Sequence, residues 1–173
     1  MITEDQLAGI VTKLQDVAHA IAQSKEHAPM TFILNERSEI LPVVHPFFED
    51  GGDGGEAAKN AVAGALREIA KQGRAVALIS VLEAWISSVP PELHESTESE
   101  ILDAARRGQR DEVLLMTVEV LRAPVVMFQA RVGIDGGHGD RKVGPWELFP
   151  SDMVSGRFAG LLDDTIGVEV GHA

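Results

Sequence analysis

The sequence contains no cysteine, which removes a disulfide framework, thiolate metal ligands and a cysteine nucleophile together. Positive charge is scarce: 15 Lys and Arg stand against 27 Asp and Glu, a formal net charge of −12. Nucleic-acid affinity comes mainly from Lys and Arg neutralising phosphates, and anionic membranes attract polybasic segments, so neither partner is expected. No apolar run approaches the ~20 residues that span a bilayer. Met1-Ile2-Thr3-Glu4-Asp5 carries neither a positive region nor an apolar run, and does not read as a signal peptide. The expected location is the cytoplasm.

Common catalytic signatures are missing as well. There is no Gly-x-Ser-x-Gly elbow, no phosphate loop ending in Gly-Lys-Ser/Thr, and no Gly-x-Gly-x-x-Gly between a strand and a helix. A metalloprotease helix needs two histidines one turn apart, and His94-Glu95 and His138 lack a second His at that spacing. No cofactor is implied, and catalytic residues are unknown at this level.

What is present suits a single globular domain over 1–162, with 163–173 as a loose tail. The chain has 173 residues, 45% apolar and 24% charged, too apolar for disorder and long enough to bury roughly 70% of its unfolded surface. Thr3-Glu4-Asp5-Gln6 forms a capping box, and Leu7, Ile10, Val11, Leu14, Val17, Ala18 and Ile21 follow at helical spacing. Met30 to Leu34 and Glu39 to His45 read as a hairpin around Asn35-Glu36-Arg37-Ser38. Pro42 cannot donate to a ladder, which places the second strand at an edge or on a bulge.

The acidic, glycine-rich stretch Glu49 to Glu56 reads as a loop, followed by a helix stripe of Ala58, Ala61, Val62, Ala65, Leu66 and Ile69 that Gly73 stops as the C′ residue. Ala75 to Ser87 is apolar at both parities, so it should be a central strand covered on both faces. A short helix over Ile101 to Arg107, strands over Asp111 to Leu121 and Pro124 to Ile134, a short strand near Trp146 to Phe149 and a last helix opened by Ser151 complete the order α-β-β-α-β-(short α)-β-β-β-α. Sequential strands joined by tight turns indicate an α+β fold, with a mainly antiparallel sheet of five to six strands flanked by helices. In element order alone this is similar to profilin-like and roadblock-like modules, and its first five elements resemble the start of a cytidine-deaminase-type fold. A zinc deaminase, however, needs a His or Cys ligand beside a glutamate and then a Cys pair, and these are missing here.

Polar residues inside the strands are the candidate site. If the two long strands pair like with like, Leu114, Met116, Val118 and Val120 share a face with Val126, Phe128, Ala130 and Val132. The opposite face then carries Thr117, Glu119, Gln129 and Arg131. Glu83 sits at the parity of Val81 and Trp85, where a carboxylate is costly unless paired, and Arg131 is its candidate partner. An ion pair of purely structural use is one reading. A ligand groove built from Glu83, Glu119, Gln129 and Arg131 is the other, with Glu83 as base or anchor and Arg131 holding an anion.

The glycine-acid loops at Asp50 to Glu56 and Asp135 to Asp140 offer hard oxygen ligands, but Ca²⁺ wants six to eight and EF-hand spacing fails. No bound metal is expected. Among the histidines, His19 falls beside the first helix's apolar stripe and His45 ends the edge strand before Pro46-Phe47-Phe48. Arg106-Arg107-x-x-Arg110 is the only basic cluster, suited to neutralising Glu92 to Glu100 or to docking an acidic partner. The best-supported function is a non-catalytic regulatory or protein-interaction module, homo-oligomeric through its open edge, with a further protein partner as an option. The alternative is a small-molecule binder or enzyme using the polar sheet face.

Overall fold

The computed structural model describes residues 2–24, 28–45, 53–87, 110–134, 141–149 and 161–162. Helix α1 (Glu4–Ser24) is followed by β1 (Met30–Asn35), β2 (Ile40–Val44), α2 (Asp53–Gln72), β3 (Ala75–Ser87), β4 (Arg110–Val120), β5 (Val126–Ile134), β6 (Arg141–Val143) and β7 (Glu147–Phe149). The strands form one antiparallel sheet in the order β2-β1-β3-β4-β5-β6, and β7 also pairs with β5. The fold is α+β, with seven strands rather than five or six. The extra strand, β6, spans three residues, too short for alternation to mark it in a sequence.

Helix α1 begins as its capping box dictates: Gln6 N–H donates to Thr3 Oγ1 at 3.2 Å, and Thr3 N–H donates to Gln6 Oε1 at 2.9 Å. The β1–β2 loop follows equally local chemistry. Asn35 Oδ1 accepts from the N–H groups of Arg37 and Glu39, Ser38 N–H donates to Asn35 O, and Ser38 takes the left-handed φ of 62°. Three residues with the last one left-handed are a standard way to close a twisted hairpin. The end of α2 departs from expectation. Gly73 N–H still donates to Ile69 O, and the left-handed residue is Arg74, at φ 50°. Helix α2 also starts at Asp53, inside the stretch expected to be a loop.

Register fixes two faces. On the front face, under α1, lie Leu34, Ala77, Ile79, Val81, Leu114, Met116, Val118, Ala130, Val132 and Val143, packed with Val11, Ala18 and Ala22 of the helix. The back face holds Ile33 and Leu78 under Ala63, Leu66 and Ala70 of α2, joined by Leu161 and Leu162. Strand β3 pairs with β1 on one side and β4 on the other, so it is central as its two-sided apolar pattern requires. Strand β2 is the edge, in keeping with Pro42. The short helix 101–107, most of the last helix, the loop 135–140 and the tail lie outside the described residues.

Leu114 is fully buried between β3 and β5 on the front face. Leu114→Ala should cost ~2–5 kcal/mol of unfolding free energy, read as a lower urea midpoint at unchanged slope. A loss below ~1 kcal/mol would mean that this face is not close-packed.

Candidate functional site

Two polar clusters are built into the sheet, one on each face. On the front face Glu83 of β3 and Glu112 of β4 converge on one guanidinium. Arg141 Nη2, at the start of β6, lies 3.0 Å from Glu83 Oε1 and 2.9 Å from Glu112 Oε1. The Glu83 side chain is 7% exposed, and those of Arg141 and Glu112 are 22% and 23% exposed. Arginine suits this position because its fork donates to two carboxylates at once and stays charged when partly desolvated. The triad ties β6 to β3 and β4 from across β5. The same short strand is held at its other end by His19 of α1, whose Nε2 donates to Val143 O at 2.8 Å. Trp146 Nε1 adds a 3.3 Å bond to Gln15 O.

On the back face Thr31 Oγ1 lies 2.9 Å from His45 Nε2 and 2.8 Å from Ser80 Oγ. All three residues are buried, as are Thr117, paired in register with Ser80, and Glu119. Glu119 Oε2 accepts the Leu162 N–H at 3.1 Å, fastening the 161–162 turn to the sheet. Burial pushes the His45 imidazole below its ordinary pKa of 6.5, since a charged ring is poorly solvated there.

The four residues expected to share a ligand groove do not meet. Glu83 faces the front with Val81, whereas Glu119, Gln129 and Arg131 lie on the back. Arg131 pairs in register with Val113 and is exposed, so it is not the partner of Glu83. A strand apolar on both faces gives no parity cue for matching it to its neighbour, and that ambiguity allowed the wrong pairing. The three back-face residues are also strung out along their strands. Glu119 is opposite Leu78 and Gln129 opposite Leu115, an offset of four residues or about 13 Å. Gln129 Oε1 is buried and accepts no hydrogen bond among the described residues.

Two features escaped the sequence reading. Arg141 follows directly on a glycine-acid stretch and gave no strand signal. The Thr31–Ser80–His45 chain was visible only as small hydroxyl residues interrupting apolar strands. Among the described residues no group of three metal-ligating side chains converges. A groove of about 350 Å³ lies instead between the N-terminal half of α1 and Ser38. Ala77 pairs with Leu34 at that end of the sheet, and Glu83 is six residues further along β3, about 20 Å away. Comparisons with protein-family models, curated proteins and solved structures find no match.

Both clusters make measurable demands on stability. Arg141→Met leaves Glu83 buried beside a second carboxylate and should cost about 3 kcal/mol, most of it recovered in Glu83→Gln/Glu112→Gln/Arg141→Met. Equal losses in the two variants would show that the guanidinium matters only through its packing. For His45 the folded pKa lies below the unfolded one, so the unfolded chain binds more protons in the interval between them. Stability should therefore be level above about pH 7 and fall as pH drops below 6.5. His45→Gln should flatten the pH 6.5 to 5.5 portion of the urea-midpoint profile. An unchanged slope there would assign the pH dependence to other groups.

Proposed function

We propose that the chain is a non-catalytic protein-interaction module that works as a homo-oligomer and offers the open edge of β2 to a partner's strand. The observation carrying this reading is the composition of that edge. Ile40, Leu41 and Val44 are exposed, at 47%, 52% and 62%, and Ile40 to Val44 includes no charged residue. Natural edge strands are ordinarily guarded by charges, prolines or bulges because their unpaired backbone groups recruit other strands, and β2 carries Pro42 but no charge.

The hydrogen-bond phase of the hairpin specifies what such a partner meets. Asn35 N–H donates to Glu39 O and His45 N–H to Pro29 O. In an antiparallel ladder bonded pairs alternate, so Leu41 and Val43 turn their backbone groups inward to β1. Ile40, Pro42 and Val44 turn theirs outward, and Pro42 has no N–H to give. A partner strand therefore finds full donor–acceptor pairs only at Ile40 and Val44, with a carbonyl alone between them. This points to a modest, reversible contact, with specificity coming from the apolar side chains.

The small-molecule reading depended on Glu83 facing Arg131 in an open groove. Glu83 is instead closed off against Arg141, which weakens that reading relative to the module. Ile40→Lys/Val44→Lys tests the leading one. It should alter unfolding stability by no more than ~0.5 kcal/mol, because both side chains are exposed, while abolishing partner recovery in a pull-down and leaving oligomeric state unchanged. A wild-type protein that is monomeric by light scattering at high concentration and recovers no partner overturns the proposal.

A further inference from the structure

The groove beside α1 is lined by Ile2, Asp5, Gln6, Gly9, Ile10 and Lys13 of the helical side, with Ser38 opposite. Gly9 is exposed in the interior of the helix, and a Cβ placed there would meet nothing within 4 Å among the described residues. The described part of the fold thus gives no reason for glycine at this position, and glycine is among the poorest residues for a helix interior. Asp5, Gly9 and Lys13 recur every fourth residue and so share one face of α1. Opposite charges flank the glycine symmetrically.

That arrangement is self-complementary. In a two-fold contact residue i meets residue j while j meets i. If two copies of α1 cross antiparallel with the axis at Gly9, each Asp5 stands opposite the second copy's Lys13, both about 6 Å along the helix from the axis. The missing side chain at Gly9 lets the helices approach closely where they cross. The same symmetry carries exposed Val17 (54%) one residue beyond the second copy's Ile2. It also brings Asp16 to the positive N-terminal end of the facing helix, where a carboxylate is favoured.

We infer that the occupant of this groove is α1 of a second copy, making a two-fold dimer held at its centre by Gly9 and at its flanks by reciprocal Asp5–Lys13 pairs. This rests on the homo-oligomeric half of the reading above and names its contact surface. It leaves both β2 edges free for partner strands. A single helix pair lies at the small end of specific interfaces, and each copy carries a net charge of −12, so the dimer should be concentration-dependent and best measured near physiological salt, where long-range repulsion is screened.

Sedimentation velocity of the full chain over a concentration series provides the test. Wild type should move from monomer to dimer. Asp5→Lys and Lys13→Asp each set like charges against each other and should raise the dissociation constant about tenfold or more. The double variant Asp5→Lys/Lys13→Asp restores complementarity and should dimerise like wild type, and an equimolar mixture of the two single variants should form a heterodimer. Gly9→Arg should abolish the dimer without lowering the thermal midpoint of the monomer, since it replaces a poor helix former by a good one. A wild-type monomer at every concentration overturns both this contact and the homo-oligomeric reading. A wild-type oligomer unaffected by the charge swaps overturns this contact alone.

Discussion

Strand β3 is buried on both faces from Ala77 to Val81, and that stretch of a thirteen-residue strand needs a packed layer on each side. Ala77, Ile79 and Val81 require the cover that α1 supplies, and Leu78 requires α2. Two amphipathic helices placed before β3 in the chain meet that demand, one from each side. The neighbours β1 and β4 satisfy its backbone groups, and the rest of the sheet extends outward from them. Burying apolar surface on both faces of one strand makes the domain a three-layer structure.

Much of this was legible in the residues because it depends on local pattern. The capping box of α1, the hairpin around Asn35, the edge position forced by Pro42 and the two-sided burial of β3 each follow from a short stretch of sequence. What failed to show was whatever depends on which residues meet across the sheet. Glu83 demanded a cation, yet whether Arg131 or Arg141 supplied it turned on strand order and face, which pattern alone does not determine. The end of α2 illustrates a subtler limit. Glycine is the usual left-handed stop, but Gly73, the first residue past α2, still bonds back to Ile69 O and Arg74 takes the left-handed φ, since the chain must turn directly into β3.

The polar groups within the layers divide by what they fasten. Arg141 holds a three-residue strand that has little ladder of its own, and Glu119 holds the turn at Leu162. The Ser80–Thr31–His45 chain, with Thr31 at its centre, joins β3, β1 and the residue after β2. In each case a buried polar side chain restrains an element whose backbone pairing is short or terminal. Such groups cost desolvation, which their hydrogen bonds and ion pairs offset.

The sheet's two margins differ in kind. Along β5 the outer side is shared by β6 and β7, three-residue segments that give an incoming strand little to copy. The β2 margin is longer, but its central outward residue is Pro42. Among the described residues the sheet therefore has one margin of useful length, itself interrupted, and a strand added to it leaves no second template of equal length on the same sheet. Growth of one continuous sheet by strand addition requires two such margins on every subunit. The apolar exposure of β2, which on a two-sided sheet would be a polymerisation hazard, thus has no matching margin through which the same sheet could extend.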